Sequence, residues 1–222
     1  MGQKVNPVAA RLALSKNWKS RWFAADDKKY RTLLLEDVKV RRLIMEKLKQ
    51  AGVSQVIIER SAGKTNVTVS VSRPGMVIGR GGAGVEELRK TLEVLFGQKI
   101  ALNVEEIRNP ELDAYLVARG IADQIERRFP VKRALNQAVD RVMRAGALGV
   151  KIICAGRLGG SEIARREKEV RGSVPSATLR ANIDFAKVDA KTATAGVVGV
   201  KVWIHKKPGT GELPDNKLGG TR

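Results

Sequence analysis

The densest chemistry in the chain lies at Met76-Val77-Ile78-Gly79-Arg80-Gly81-Gly82-Ala83-Gly84-Val85-Glu86-Glu87-Leu88. Four glycines and one arginine between positions 79 and 84 form a turn at a helix start. There, backbone N–H groups and the positive end of the helix dipole meet an anion. Glycine also lets a second backbone approach where a Cβ would clash. The expected ligand is a phosphate. Elsewhere the reactive side chains are sparse. Cys154 is the only cysteine and His205 the only histidine. The acid pairs Glu86-Glu87 and Glu105-Glu106 cannot converge, because neighbours point apart on a helix and to opposite faces of a strand. No Ser/His/Asp arrangement, metal-ligand cluster or Gly-Lys-Ser/Thr follows the glycines, which excludes a Walker loop. An enzyme is not expected, and neither is a cofactor or a metal.

The neighbouring elements present this turn. Val85, Leu88, Leu92 and Leu95 recur at helical spacing after it. Val67, Val69 and Val71 before it, and Ile100, Leu102 and Val104 after it, alternate as half-buried strands. Two phosphate-binding readings compete. Gly79-Arg80-Gly81-Gly82-Ala83-Gly84 satisfies the dinucleotide pattern G-x-G-x-x-G, with Glu105 and Glu106 where a ribose-binding acid would stand. Gly79-Arg80-Gly81-Gly82 also satisfies the G-x-x-G loop of a KH domain, which clamps a nucleic-acid backbone. The dinucleotide pattern needs a strand running into its first glycine. Here Ser72-Arg73-Pro74-Gly75 breaks the chain and leaves only Met76-Val77-Ile78, too short for a central strand. The KH reading therefore leads. A glycine-rich helix start without a ligand stays open on these residues alone.

Charge weighs against that last reading. The 222 residues carry 42 Lys+Arg and 23 Asp+Glu, a formal net charge of +19. Such self-repulsion on a foldable chain calls for a polyanion, and nucleic acid is the expected one. A membrane surface is disfavoured because basic residues occur in every segment instead of one amphipathic stripe. Aromatics make up 4%, so contacts should run through Lys and Arg to the backbone and not through base stacking. Cys154 alternates with Val150 and Ile152 and reads as a small buried residue, whereas His205 reads as meeting solvent or RNA. Asn66-Val67-Thr68 matches a glycosylation sequon inside a strand and reads as chance. With no signal peptide and no apolar run near a membrane span, the expected location is cytoplasmic.

In chain order, residues 1–15 read as an extended N-terminal arm, followed by the aromatics Trp18, Trp22 and Phe23. Residues 16–108 read as the KH-type domain. Its helix runs from about Leu33 to Ala51, with Glu36 and Asp37 in the first turn. Then come a strand at Val53–Glu59, a turn at Ser61-Ala62-Gly63-Lys64, a strand at Thr65–Val71, the glycine-turn helix to Gly97, and a strand at Lys99–Glu105. Arg73, Arg80, Arg89 and Lys90 would flank the groove. Residues 109–206 read as an α+β domain: a helix from Glu111 to about Arg128, a second from Val131 to Ala145, then mostly antiparallel strands. The second helix places Leu135, Ala138, Val139 and Val142 on one face. Arg133, Gln137, Asp140, Arg141 and Arg144 lie opposite, with Lys132 on the flank. A strand at Val150–Ala155 leads to Gly156-Arg157-Leu158-Gly159-Gly160, with Ser161 as N-cap of a short helix through Ile163 and Ala164. Alternation at Leu179, Ala181, Ile183 and Phe185, and at Val198, Val200, Val202 and Ile204, marks two more strands, with a turn at Ala193-Thr194-Ala195-Gly196. Residues 207–222 read as a flexible tail.

Several long stretches carry a resemblance. They are Met-Gly-Gln-Lys-Val-x-Pro with Arg11-Leu12, Arg73 to Gly79, Pro110-Glu111-Leu112-Asp113-Ala114, Gly156 to Arg165, Leu179 to Asp184 and Gly199 to Ile204. In order, from residue 1 to about 206, the chain resembles the bacterial family of the third protein of the small ribosomal subunit. The resemblance implies a type II KH domain followed by a two-helix, mostly antiparallel domain, and a structural role in the head of that subunit. It implies binding to small-subunit rRNA and contact with the tenth and fourteenth proteins of the subunit. It also implies a share, with the fourth and fifth, of the pore through which mRNA enters. Basic residues that help unwind mRNA there fall on Lys132 and Arg133, whereas a third, usually basic position is Asn136. The RNA-binding candidates are thus Arg73, Gly79, Arg80, Gly81, Gly82 and Arg89 in the first domain. In the second they are Lys132, Arg133, Arg144, Arg157, Arg165, Arg166 and Arg171. A free-standing KH regulator of mRNA is the alternative function, and a dinucleotide-dependent enzyme a more distant one.

Overall fold

The computed structural model describes residues 4–12, 14–61, 64–192 and 196–207, and the side chain of Arg80 lies outside it. The turns expected around 62–63 and 193–195, and the tail from position 208, fall outside the described residues. The chain forms two compact units, Trp18–Arg108 and the residues up to Asn17 together with those from Asn109 onward.

In the first unit, α1 (Asp27–Lys47) starts six residues before the expected Leu33, because the Asp26 carboxylate accepts the Lys28 N–H and caps it. Asp37, expected in the first turn, lies mid-helix and is 1% exposed. It is neutralised by Arg60 at 2.5 Å and also accepts bonds from the Trp22 indole (2.8 Å) and the Ser20 hydroxyl (3.1 Å). This buried pair ties the aromatic segment to the domain. A short β1 (Ser20–Arg21) pairs parallel with β2 (Val53–Ser61), which pairs antiparallel with β3 (Lys64–Val71). Next come α2 (Pro74–Ile78), the glycine turn, α3 (Ala83–Phe96) and β4 (Ile100–Glu106), parallel to β3. Met76-Val77-Ile78 is thus the body of a helix and not a strand remnant, because Pro74 at its first turn starts it. Val40, Ile44, Ile58, Val67, Val69 and Leu92 lie at the centre of the core. The order α–β–β–α–α–β is that of a type II KH domain.

The second unit is α+β. Asp113 caps α4 (Ala114–Glu126) by accepting the Tyr115 and Leu116 N–H groups, after a 3-10 turn at Pro110–Leu112. Then α5 (Val131–Arg144) follows Pro130. Four strands, β5 (Gly149–Gly156), β6 (Arg165–Gly172), β7 (Ile183–Thr192) and β8 (Gly196–His205), form an antiparallel sheet of order β6-β5-β8-β7. Val150, Ile152, Cys154, Val188, Val200, Val202 and Ile204 share one buried core with the apolar faces of α4 and α5.

Three expectations differ here. Ser161 caps no helix: its hydroxyl donates to the carbonyls of Leu158 and Ile163, and the chain then enters β6. Leu179 and Ala181 lie in a turn ahead of β7, closed by the Ala181 N–H to Thr178 O bond. The N-terminal segment is not an extended arm. Ala9–Arg11 forms a 3-10 turn, and Arg11 is fully buried against the carbonyls of Pro7, Ser176, Thr178 and Ala181 at 2.8–3.2 Å.

Candidate nucleic-acid interface

The glycine turn of the first unit assigns separate duties to its glycines. At Gly84 a Cβ would stand 2.5 Å from the Val77 carbonyl oxygen, so this glycine lets α3 start against the end of α2. Gly81 (φ 62°, ψ 19°) and Gly82 (φ 84°, ψ 0°) are left-handed with open space where a Cβ would be. They are glycine for backbone conformation, and they leave the turn accessible at the N-terminus of α3. Arg73 is exposed at the start of α2. Arg89 is exposed one turn further along α3 and pairs with Glu93 at 3.1 Å. Because α2, not a strand, enters the turn, the dinucleotide reading fails on geometry. Glu105 and Glu106 are exposed on β4 and hold no site together.

A second turn in the other unit repeats this backbone. In the 3-10 turn Leu158–Gly160, Gly159 (φ 68°, ψ 14°) and Gly160 (φ 84°) lie close to the angles of Gly81 and Gly82, again with open space around both. The turn forms one wall of a cavity of about 460 Å³, to which Arg128, Phe129, Lys132, Arg157 and Arg165 contribute. Arg157 is fixed by a bond from its Nε to the Ser161 carbonyl (2.9 Å). Arg133, one residue beyond Lys132, lies with its guanidinium 5.6 Å from the Phe129 ring centroid, a cation–π arrangement. The cavity also meets Glu126, whose oxygens are taken by Arg119 and the Lys191 N–H, and Glu167.

The fold separates the other candidates. Asn136 and Gln137 are exposed on α5, so charge on that face is interrupted after Arg133 and resumes at Asp140 and Arg141. Arg144 is exposed at the far end of the helix, where it complements the dipole. Arg171 is paired with Asp140. Arg166 lies in register with Ala155, on the sheet face opposite to α4 and α5, away from Arg165. Sequence reasoning missed Arg128 and Phe129, although Pro130 after them signalled a turn able to project both. His205 is partly buried and its Nδ1 lies 2.9 Å from the Ser173 carbonyl, so it does not simply face solvent. Burial pushes the Cys154 thiol up to about 12, with Glu167 adding to the shift, and leaves it unreactive. Among the described residues no His/Cys/Asp/Glu group could hold a metal ion, and no helix is long and apolar enough to cross a membrane.

A KH-type layer with an open Gly-x-x-G turn, joined in sequence to a basic α+β unit, defines an RNA-binding protein. A family model described as KH domain matches residues 39–112, and one described as Ribosomal protein S3, C-terminal domain, matches residues 121–204. "Small ribosomal subunit protein uS3" of Desulfitobacterium hafniense is 52% identical over 206 residues, covering 93% of each chain. Its namesake in Rhodospirillum centenum is 53% identical over 93% of this chain and 90% of its own. That of Natranaerobius thermophilus is 49% identical over 98% and 93%. The chain belongs to the small ribosomal subunit protein uS3 family, a non-enzymatic family of RNA-binding ribosomal proteins.

Proposed function

We propose that this chain, as a structural protein of the small-subunit head, lines the pore through which mRNA enters and grips the incoming strand with its second unit. The observation that carries this reading is the convergence of Arg128, Lys132, Arg157 and Arg165 on one cavity beside the Gly159–Gly160 turn. None of these four has a carboxylate partner among the described residues. Uncommitted cations around an open turn suit a phosphodiester backbone, whose charge they neutralise with release of counterions. In this reading the Gly79–Gly82 turn holds rRNA. The fourth and fifth proteins of the subunit complete the pore, and the tenth and fourteenth are its neighbours in the head.

Unwinding would follow from position and charge. Lys132 and Arg133 hold the strand or duplex backbone while translocation draws one strand through, and no nucleotide is hydrolysed by this chain. With Asn136 in place of a third basic residue, the grip rests more heavily on the cavity arginines. Lys132→Ala combined with Arg133→Ala should slow translation through a stable mRNA hairpin and leave an unstructured message unaffected. Equal rates on the hairpin for variant and parent would overturn the reading.

A further inference from the structure

The sheet of the second unit has two faces, and only one is covered by α4 and α5. Strand alternation places Lys151, Arg166, Lys168, Lys187, Lys191 and Lys201 on the other. Register sets Lys168, Ile153, Lys201 and Lys187 in one row across all four strands. Lys201 and Lys187 are therefore directly opposed, and Lys168, Lys187 and Lys201 are all exposed. Like charges in direct cross-strand opposition destabilise a free sheet. Strand β6 puts both of its carboxylates, Glu167 and Glu169, on the helix side together with Arg165 and Arg171, so its open side carries only the cations Arg166 and Lys168. Asp189 is the one carboxylate in the open rows, and the six cations have no ion-pair partner among the described residues.

We infer that this open face is a second RNA-binding surface of the unit, seated on the phosphate backbone of folded small-subunit rRNA. Five of the six cations are lysines, compact point charges that bind phosphate without a fixed bidentate geometry, and a continuous run of unpaired positive charge with one carboxylate complements a phosphate backbone. The aromatics of the face are already engaged. Phe185 and Trp203 stack on each other with centroids 5.0 Å apart, and the Lys151 ammonium lies 5.1 Å from the Trp203 ring. Neither offers a free platform for a base, so recognition runs through the backbone. The Lys151 ammonium is held below its usual range by burial first and then by Lys4, Lys168 and Arg166, a sign of the crowding that a polyanion would relieve. This surface lies on the sheet face away from α5, so it does not depend on the mRNA role of Lys132 and Arg133.

Two measurements on the full chain test it. Photocrosslinking from a benzophenone side chain introduced at position 201, in assembled small subunits, should recover rRNA. Crosslinks to a neighbouring protein, to mRNA alone, or to no partner would overturn the inference. Lys168→Gln, Lys187→Gln and Lys201→Gln combined should lower the slope of log affinity against log salt for small-subunit rRNA by about 2–3. An unchanged slope would also overturn it. Thermal melting of the triple variant should show an equal or higher midpoint, because the opposed lysines are gone. A failure of the hairpin experiment leaves both of these outcomes untouched.

Discussion

Asp184 couples pH to the stability of the second unit through one side chain. Its carboxylate accepts the Ala114 N–H at the start of α4 (3.2 Å) and meets Lys206 at 3.0 Å and Lys16 at 4.0 Å. Burial by itself would raise this carboxyl. Lys206, then Lys16, with the bonds from Lys206 and the Ala114 N–H, outweigh it and hold the group below the usual carboxylate range. A carboxyl depressed in the folded state contributes stability above its unfolded value of about 3.9, and that contribution is lost as pH falls through the folded value. Asp184→Asn should therefore cost about 1–3 kcal/mol at neutral pH. In thermal melts across pH, the variant and parent curves should converge below about pH 4. Parallel curves down to strongly acidic pH would show that the linkage lies elsewhere. None of this was legible in the sequence, because Asp184 gains its partners from segments at positions 16, 114 and 206.

Elements were legible where they advertise themselves locally. The apolar residues of α3 and α5 recur at helical spacing, and the glycine turn needs glycine for local reasons, all contained between Val77 and Gly84. By contrast β6 was invisible. Its alternation is of one charge with another, and it is a strand because β5 offers it a ladder from Gly149 to Gly156. For α2 the signal was present but read the wrong way, since Pro74 opens that helix instead of breaking a strand. The cavity around Arg157 could not be found from sequence, because its cations come from three separate segments that sheet register assembles. The glycine turn yields a prediction at this scale. Gly84→Ala drives a Cβ to within 2.5 Å of the Val77 oxygen and should destabilise the first unit by about 1–3 kcal/mol. Gly81→Ala enters open space and should cost about 1–2 kcal/mol, from its left-handed backbone alone. Urea unfolding measures the two losses, and NMR shifts around Val77 should be unchanged in the second variant and displaced at the α2–α3 junction in the first. Undisturbed packing at that junction in Gly84→Ala would refute the close-approach account.

Over the whole chain, composition announced a partner for the +19 charge, and the motifs announced two successive domains. What they concealed is that the N-terminal segment belongs with the second domain, because one fully buried arginine carries that connection. Arg11→Ala would take the guanidinium donor from the carbonyls of Pro7, Ser176 and Ala181, leave Thr178 with the Ala181 N–H alone, and should cost on the order of 3 kcal/mol. Hydrogen exchange should quicken at residues 176–183 and stay unchanged in β3. Equal exchange in both places would mean that Arg11 does not hold the segment. This connection also sets a timetable. Arg11 and Ala181 are 170 residues apart, and Trp18–Arg108 lies wholly between them. At synthesis rates of about 5–20 residues per second, Arg11 waits roughly 9–34 s for its last acceptor to be made. The KH unit is complete well before then and can fold as it emerges. A segment translated before the KH unit is thus among the last to find its place, and until it does, the nascent chain carries a solvated guanidinium ahead of a finished domain.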